Sequence, residues 1–583
     1  MKHYNNLVEA FREISSTYSD KVLYSQSLIA EHCITKDKHR RWVSTSYQGA
    51  RERIDKIANH LASLGVTLGT KVAILSASRP EWLEADFAIM SAGGIVVSIY
   101  QSLPPKDIAY ILFDSDSKIV FVENQEQLDK LVTIMASRYD FPATEDRSEL
   151  NTAIDIAHIV SFENTTEHPL NVSLEQIFQM PLDKPIDTWQ SVKRTDLASL
   201  VYTSGTTGAP KGVMQTHGNH LANVRQVLES GILPENCDIM LFLPLAHSFA
   251  KLIGLLGFLT SASLKFPGVA DRHSSRLNQK SLAIDLAESN VHVVPVVPRI
   301  LEKMKEAIEA KANENGLSNY LLRLTLMAST KNYSSSSCAS HCNIVWKLLH
   351  CLLTSIRAKI QLSLFGSKLE YILSGGAKLN LEVAQFFDML GIKIVEGYGL
   401  TETCVATNVN RPDKLKLGAV GPVLAPDIEI KIEPDGEICF RGPNVAVGYY
   451  ARPTATKMSW DAEGWFHTGD LGSIDNENHL SIVGRKKEII VTSYGKNIAP
   501  VPIEDRLKSS KYIDQAMLVG EGRAFCVAIV VINEKEVLQY ARSKKMSLED
   551  PLHDNPIVSE LIWNDVEQIN HSLPNHEKIR KII

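Results

Sequence analysis

The sequence predicts an α/β protein with a large N-terminal domain of helix-covered sheets, a β-rich lobe, and a small α+β domain at the C-terminus. Apolar strands alternate with amphipathic helices through most of the chain, which is typical of a parallel sheet with helices on its faces. From Ile428 onward, short strands joined by tight turns replace that alternation. The chain has 583 residues, which is too many for one hydrophobic core, so more than one domain is expected.

A β-α-β unit opens the α/β region. The pattern predicts a strand at Lys71–Leu75, a helix that carries Leu83, Phe87 and Met90 on one face, and a second strand at residues 95–100. Strands connected through a helix in this way run parallel to each other.

The alternation continues with a helix at residues 106–113 and a strand at 118–122. Residues 140–189 then form a polar, proline-containing stretch whose periodicity is weak. We therefore interpret residues 140–189 as a surface excursion before the next strand.

That next strand begins at Leu197 and runs directly into a loop of hydroxyls and glycines that ends in a lysine. Glycines let backbone N–H groups approach a polyphosphate, hydroxyls add donors, and the lysine adds a positive charge. The candidate phosphate-binding residues are Thr203, Ser204, Gly205, Thr206, Thr207, Gly208 and Lys211. A Walker A loop is excluded, because its lysine follows glycine and precedes serine or threonine, whereas Lys211 follows Pro210 and precedes Gly212. The alternative is a plain surface loop.

Four later strands are predicted, with helices at residues 217–233, 299–312 and around Val383, Phe387 and Leu390. The strands are residues 239–243, 291–297, 369–374 and 392–396, and the last two end in Gly375-Gly376-Ala377 and Gly397-Tyr398-Gly399. Ligands of open α/β sheets bind beyond the carboxyl ends of the strands. These small-residue clusters and the loop after Thr203 are therefore expected to face one crevice.

The remaining chain divides at the charged run Gly484-Arg485-Lys486-Lys487-Glu488. Before it, Pro434-Asp435-Gly436 predicts a hairpin turn between strands at 428–432 and 437–441. After it come strands at 516–519 and 525–532 and helices at 503–509 and 557–570. We predict an N-terminal domain of residues 1–484, whose β-rich lobe covers about 420–484, and a C-terminal domain of residues 485–583.

Composition narrows the class of protein. Lys and Arg total 61 against 67 Asp and Glu, and the resulting net charge of −6 argues against a nucleic-acid binder. The N-terminus has no apolar run typical of a signal peptide, and the most apolar window, residues 252–264, is too short to span a membrane. We expect a cytoplasmic protein without a transmembrane segment, and contact with a membrane surface stays open.

The eight cysteines show no disulfide-like spacing, which suits a reducing compartment. Five Cys and His residues cluster between Cys338 and Cys351, but their spacing matches no standard zinc signature. A loop leading into a helix is the interpretation we favour for that stretch.

Four motifs in order carry a family resemblance: the loop after Thr203, Tyr398-Gly399-Leu400-Thr401-Glu402, Gly464-Trp465-Phe466-His467-Thr468-Gly469-Asp470, and Gly484-Arg485-Lys486-Lys487-Glu488. With these motifs, residues 20–583 closely resemble the adenylate-forming superfamily, which includes acyl-CoA synthetases, firefly luciferase and the adenylation domains of peptide synthetases. Residues 493–504 and Val297-Pro298-Arg299-Ile300 are similar to the long-chain fatty acid branch, with bacterial and plastid acyl-CoA or acyl carrier protein synthetases as the nearest match. The resemblance implies that the small C-terminal domain is mobile.

The resemblance also implies ATP as substrate and Mg²⁺ as cofactor. Thr203 to Lys211 would hold the β- and γ-phosphates, Thr401 would contact the α-phosphate, and Glu402 would hold Mg²⁺. An ordinary solvated carboxylate at the start of a helix is the alternative for Glu402.

The nucleoside has its own implied residues. Tyr398 would lie against the adenine beside Gly376 and Ala377, where missing side chains leave room for a flat base, with Gly397 and Gly399 flanking it. Asp470 would accept hydrogen bonds from the ribose hydroxyls and Arg485 would donate to the same sugar. The alternatives are a core aromatic for Tyr398, a turn residue for Asp470 and a surface charge for Arg485.

Two further residues match family positions. His247 matches the position that lines the acyl tunnel and gates thiol entry, although a structural histidine is the alternative. Lys487 matches the hinge about which the C-terminal domain turns between its adenylating and thioester-forming poses. The family's adenylation lysine near the end of that domain has no counterpart before Ile583, so the C-terminus resembles a truncated one and weak adenylate formation is expected.

The resulting hypothesis is a ligase that activates a long-chain fatty acid with ATP and transfers it to CoA or acyl carrier protein. Two alternatives remain open: an adenylation-impaired protein that only binds acyl groups or AMP, and another adenylating enzyme of the superfamily. Acyl chain length is also open.

Overall fold

The structure is a computed structural model that describes residues 2–28, 40–143, 146, 148, 150–182, 184–203, 209–268, 279–314, 316–335, 353–546, 548 and 551–583. The chain forms two compact units. Unit 1 comprises Met1–Leu379, Val383–Ile430 and Phe440–Phe466, and unit 2 comprises Asn380–Glu382, Lys431–Cys439 and His467–Ile583. The Cys and His cluster between Cys338 and Cys351 lies outside the described residues.

Unit 1 contains the α/β alternation that the sequence predicts. Its strands in the described residues are β1 (Val22–Leu28), β2 (Arg41–Ser46), β3 (Lys71–Leu75), β4 (Ile95–Ile99), β5 (Ile119–Val122), β6 (Arg138–Phe141), β7 (Leu150–Ala153), β8 (His158–Ser161), β9 (Asn171–Ser173), β10 (Leu197–Thr203), β11 (Lys211–Thr216), β12 (Asp238–Met240), β13 (Ser263–Phe266), β14 (Val293–Val296), β15 (Tyr371–Ser374), β16 (Ile394–Tyr398) and β17 (Asn408–Val409).

Helices separate most of these strands. They are α1 (Leu7–Thr17), α2 (Tyr47–Ser63), α3 (Pro80–Ser91), α4 (Pro105–Ser115), α5 (Gln125–Met135), α6 (Leu174–Gln179), α7 (His217–Glu229), α8 (Ser248–Leu259), α9 (Gln279–Ser289), α10 (Pro298–Asn313), α11 (Gly316–Ser335), α12 (Thr354–Phe365), α13 (Leu381–Met389) and α14 (Pro453–Ser459). Short 3₁₀ helices occur at Thr188–Ser191 and Thr401–Thr403. Every residue of α8 is buried, so residues 252–259 of the most apolar window belong to a core helix.

The first sheet has seven strands in the order β11-β10-β4-β3-β5-β8-β9. All neighbours are parallel except β10 and β11, so the predicted parallel sheet is confirmed. The interpretation of residues 140–189 as a surface excursion is wrong, because β8 and β9 extend this sheet and Ile159 and Val160 are buried. These strands are too short for their periodicity to be visible in the sequence.

The second sheet has eight strands in the order β17-β16-β15-β14-β12-β13-β1-β2. Its six inner strands are parallel, and only the two edge strands run antiparallel. The carboxyl ends of β14, β15 and β16 therefore share one edge, with Val296, Ser374 and Glu396 in register.

Unit 2 contains residues 431–439 and 467–484 of the β-rich lobe together with the C-terminal segment, whereas the rest of the lobe belongs to unit 1. The boundaries between the units cut through strands of the lobe. The elements here are β18 (Glu429–Ile432), β19 (Glu437–Arg441), β20 (Phe466–Ile474), β21 (Leu480–Arg485), β22 (Ile490–Val491), β23 (Asn497–Ile498), α15 (Pro500–Lys508), β24 (Ile513–Val519), β25 (Cys526–Ile532), α16 (Glu534–Ser543), α17 (Pro556–His571) and β26 (Ile579–Ile582), with 3₁₀ turns at Lys486–Glu488 and Leu552–Asp554.

The predicted hairpin is present in unit 2, where Gly436 takes a left-handed φ of 89° in the turn. Strands β18 to β21 form a four-stranded sheet, and β24, β25 and β26 form a three-stranded one. The latter has a core of its own that includes Leu507, Val537 and Val566. Helix α16 and strand β26 were not predicted from the sequence.

Candidate active site

Strands β10 and β11 frame the predicted phosphate loop. They pair antiparallel, with Thr203 opposite Lys211, so the two ends of the loop lie side by side. Ser204, Gly205, Thr206, Thr207 and Gly208 lie outside the described residues. A Cβ on Gly212 would lie 3.0 Å from the Tyr202 ring, so only glycine fits at that position without displacing the ring.

A second motif follows β16, at residues 397–405. A Cβ on Gly399 would lie 1.3 Å from the Val405 carbonyl oxygen, so the loop closes this tightly only with glycine there. Cys404 and Val405 have left-handed φ values of 48° and 93°, and for β-branched Val405 that conformation is strained. The loop thereby holds Thr401 and Glu402 in one turn of 3₁₀ helix.

Thr401 and Glu402 are each fixed by residues distant in sequence. The Gln215 side-chain amide donates to the Thr401 carbonyl oxygen at 2.8 Å. The backbone N–H of Ala446 donates to the Glu402 carbonyl oxygen at 2.8 Å, and the Tyr449 hydroxyl donates to Glu402 Oε1 at 2.8 Å. Neither Gln215 nor Tyr449 was predicted from the sequence as a site residue.

Tyr449 also contacts the lysine of the phosphate loop. Lys211 Nζ lies 5.1 Å from the centroid of the Tyr449 ring, within the range of a cation–π contact. Tyr449 thus contacts both Lys211 and Glu402, the residues to which the family resemblance assigns the phosphates and the metal.

Glu402 is suited to share Mg²⁺ with a nucleotide. Mg²⁺ in proteins is usually held by one or two carboxylates plus substrate phosphates and water, not by an all-protein cage. Among the described residues, the one group of three His, Cys, Asp or Glu donors close enough to hold a metal is elsewhere, at Glu433, Cys439 and His467. In that group, Cys439 Sγ and His467 Nδ1 lie 3.3 Å apart and contact each other directly.

The predicted adenine residues lie at the carboxyl edge of the eight-stranded sheet. Gly375, Gly376 and Ala377 follow β15, and Gly376 takes a left-handed φ of 84°. Gly376 and Ala377 are exposed while Tyr398 is half-buried, with its ring centroid 6.1 Å from that of Phe440. A Cβ on Gly376 would lie 3.7 Å from the nearest atom, which belongs to Val297. The small residues at 376 and 377 therefore leave this edge of the sheet without a bulky side chain.

His247 caps the start of α8 near this edge. Its Nδ1 accepts a hydrogen bond from the Phe249 N–H at 3.2 Å, and the Phe249 ring lies 3.4 Å from where a Cβ of Gly375 would be. The ring of His247 is accessible, yet desolvation by the surrounding protein lowers its pKa. A neutral imidazole matches its role as a hydrogen-bond acceptor.

Glu396 is a buried carboxyl group directly before the Gly397-Tyr398-Gly399 cluster. Burial raises its pKa to about 7, against a smaller lowering by the Gly418 N–H and by Lys378. The sequence analysis did not select this residue, because nothing in a strand pattern distinguishes a buried carboxyl from an exposed one.

The predicted ribose residues lie in unit 2. Asp470 on β20 faces Arg485 at the end of β21, and Arg485 Nε lies 3.1 Å from Asp470 Oδ1. The Asp470 side chain is 6% exposed and that of Arg485 is 51% exposed. The acceptor and the donor predicted for one sugar are therefore neighbours.

Lys487 lies in the 3₁₀ turn that follows β21 and is exposed. Its neighbour Lys486 is anchored instead, with Nζ at 2.6 Å from Asp435 and 2.9 Å from Glu437, and these hydrogen bonds raise the pKa of Lys486. Both lysines are exposed, and Lys486 is additionally held by two carboxylates. No helix in the described part of the chain is long and apolar enough to cross a membrane.

Comparison with known proteins gives two family matches. The AMP-binding enzyme family matches residues 18–450, and the AMP-binding enzyme C-terminal domain matches residues 487–583. The long-chain-fatty-acid–CoA ligase FadD15 of Mycobacterium bovis is 30% identical over 547 residues, which cover 93% of this chain and 86% of that protein. The human long-chain-fatty-acid–CoA ligase ACSBG1 is 31% identical over 503 residues, covering 84% of this chain and 67% of that protein.

The fold has solved counterparts. The structure of o-succinylbenzoate coenzyme A synthetase from Bacillus subtilis, in complex with ATP and magnesium ion, aligns with a TM-score of 0.67 at 19% identity, covering 100% of this chain and 95% of that chain. The predicted α/β class, with a large N-terminal and a smaller C-terminal part, is confirmed.

Proposed function

The chain belongs to the AMP-binding enzyme family, and on that premise we propose that it is an ATP-dependent ligase that activates a long-chain fatty acid as its adenylate and transfers the acyl group to CoA. Its curated relatives are long-chain-fatty-acid–CoA ligases over most of its length. The observation that carries the proposal is the contact of Tyr449 with both Lys211 and Glu402, because it joins the loop lysine to the predicted metal carboxylate.

The reaction has two steps because a carboxylate cannot lose oxide to a thiol. A carboxylate oxygen first attacks the α-phosphorus of ATP, the bond to pyrophosphate breaks, and acyl-adenylate forms. The thiol sulfur then attacks the acyl carbon, the bond to AMP breaks, and the thiol proton leaves to solvent. Managing charge on the phosphoryl oxygens is the main demand of the first step.

Lys211 and Glu402 meet that demand from two sides. Lys211 supplies a positive charge at the end of the loop. Thr203, which is paired with Lys211, supplies a hydroxyl donor. Glu402 would hold Mg²⁺, which when bound neutralises charge on the phosphate oxygens. Gln215 holds the backbone of Thr401, so that this hydroxyl keeps its place for the α-phosphate.

The proposal also assigns residues to the adenine and to the ribose of the nucleotide. Tyr398 stacks on the adenine beside Gly376 and Ala377, an assignment supported by the exposed glycine edge of β15. Asp470 and Arg485 take the ribose hydroxyls as acceptor and donor, an assignment supported by their contact across β20 and β21. Gly397 and Gly399 have no side chains that would obstruct the base.

The acyl and hinge assignments are also proposals. His247 lines the path of the acyl chain and of the incoming thiol, and its neutral ring suits an apolar substrate. Lys487 is the hinge residue, and its exposed position in a short turn supports that role. We propose a domain boundary at residues 484–485, with a β-rich lobe at about 420–484. A cytoplasmic location, with membrane contact where long-chain fatty acids partition, would be tested by cell fractionation.

A product assay tests the function. The full chain is incubated with ATP, Mg²⁺ and fatty acids of stepped length, with CoA or with acyl carrier protein carrying its pantetheine thiol. We expect AMP, pyrophosphate and acyl-CoA in equal amounts, and acyl carrier protein is the alternative acceptor that the second arm detects. Release of ADP and phosphate, or no AMP with any fatty acid, would overturn the proposal.

A further inference from the structure

The segment at residues 446–450 lies along the outer edge of β11 like a short added strand. Met214 N–H donates to the Gly448 carbonyl at 2.9 Å, Val447 N–H to the Met214 carbonyl at 3.1 Å, and Tyr450 N–H to the Gly212 carbonyl at 2.8 Å. The backbone is thus fixed on both sides of Tyr449, against the strand that carries Lys211.

A second set of contacts anchors the chain just before this segment. The Asn219 side-chain amide donates to the carbonyls of Pro443 and Val445, both at 2.9 Å. Gly448 takes a positive φ of 134°, and a Cβ there would lie 2.6 Å from the Thr456 side chain. The approach of residues 446–450 to β11 therefore depends on glycine at position 448.

The side chain of Tyr449 is held as firmly as its backbone. The residue is 8% exposed, and its ring packs edge-on against Trp460 with centroids 5.2 Å apart. In this position the hydroxyl reaches Glu402 Oε1 at 2.8 Å and the ring lies 5.1 Å from Lys211 Nζ. One rigid side chain therefore touches both charged groups.

The Tyr449 hydroxyl is the donor in this pair, because an ionised carboxylate can only accept hydrogen bonds. A neutral phenol that donates to the carboxylate does not compete with it for the metal.

We propose that Tyr449 is a positioning residue of the metal and phosphate site, whose hydroxyl orients the Glu402 carboxylate for Mg²⁺ and whose ring restrains the Lys211 ammonium for the phosphates. The inference rests on the proposed function, because it assigns Tyr449 to the nucleotide and metal site of that reaction. The two roles use different parts of the side chain, so different substitutions separate them.

The test is the binding of ATP to the full chain by calorimetry, without fatty acid, at increasing Mg²⁺ and with Mg²⁺ removed by a chelator. In Tyr449→Phe the ring stays and the hydroxyl is lost. We expect the half-saturating Mg²⁺ concentration to rise roughly tenfold, the usual effect of losing a hydrogen bond to a charged group, while metal-free ATP affinity is unchanged. In Tyr449→Leu, metal-free ATP affinity should also fall, about threefold, because Lys211 loses the ring.

Tyr450→Phe is the matched control. Its ring is partly buried and faces Lys71 at 5.3 Å, so it shares the segment but not the contact with Glu402. This variant should bind Mg²⁺ and ATP as the wild type does. Thermal melting of all three variants distinguishes a loss of stability from a loss of metal binding.

The outcomes separate the two proposals. If the wild type binds ATP with a Mg²⁺ dependence and Tyr449→Phe keeps the same Mg²⁺ midpoint, Tyr449 does not position the carboxylate and the inference fails alone. If all proteins bind no ATP, the proposed function fails, and the inference fails with it.

Discussion

Tyr449 donates a hydrogen bond to Glu402 across 47 positions of sequence, with 2.8 Å between the hydroxyl and Oε1. The pair connects the loop after β16 to the segment that lines β11. This relationship joins Glu402, the carboxylate proposed to hold Mg²⁺, to the strand that carries Lys211.

Glu402→Ala should abolish most Mg²⁺-dependent adenylation while leaving the fold intact, because the side chain is half-buried and is not part of the hydrophobic core. An electrostatic contact made in the transition state is worth ~3 kcal/mol, or about a hundredfold in rate. Pyrophosphate release with ATP and palmitate measures the effect. Glu402→Gln is the control for shape, since its amide oxygen can still accept from Tyr449 while its charge is lost. A decrease of less than about threefold in both variants would remove Glu402 from the metal role.

The strand ends that form this site could be predicted from sequence, because β10, β15 and β16 are apolar runs that end in visible clusters of glycine and hydroxyl residues. The role of Tyr449 could not. It depends on the pairing of residues 446–450 with β11, which is more than two hundred residues earlier in the chain, and local periodicity carries no information about such a contact.

Burial is the other property that the sequence did not disclose. Ile159 and Val160 are core residues of a four-residue strand inside a polar stretch, and Glu396 is a charged residue type that the fold encloses. In both cases the neighbours that exclude water come from other elements, so the burial of these side chains is visible only in the folded structure.

Asp470→Ala should weaken ATP binding more than fatty acid binding, because the acidic side chain faces Arg485 and is assigned to the ribose. Removing an acceptor of two hydrogen bonds should cost about tenfold or more in ATP affinity. Calorimetric titration with ATP and with fatty acid compares the two. Asp514→Ala is a control in the same unit, since Asp514 is exposed on β24. Equal weakening toward both ligands would instead indicate a structural role for Asp470.

Gly399→Ala should disrupt the loop that carries Thr401 and Glu402. The added Cβ would stand 1.3 Å from the Val405 carbonyl oxygen, so the backbone must move, at a cost of about 1–3 kcal/mol in the free energy of unfolding. We expect a lower melting temperature together with loss of adenylation. Gly316→Ala is the control, because nothing lies within 4 Å of a Cβ at the start of α11. Unchanged melting and activity in Gly399→Ala would contradict the tight closure of this loop.

Glu396→Gln should stabilise the protein in a pH-dependent way. Burial raises the folded-state pKa of Glu396 to about 7 from an ordinary value of 4.5, so the folded protein holds this proton more tightly than the unfolded chain does. Below about pH 4.5 the carboxyl group is protonated in both states, so its ionisation does not lower the free energy of unfolding. As the pH rises toward 7, its ionisation lowers the free energy of unfolding progressively. Above that pH the cost is roughly 3 kcal/mol, and the neutral amide removes it. Melting temperatures of wild type and variant should converge near pH 4 and diverge by about pH 8, with Glu370→Gln, on an exposed side chain, as the control. A difference between the two proteins that stays constant with pH would show that Glu396 has the same pKa in the folded and the unfolded state.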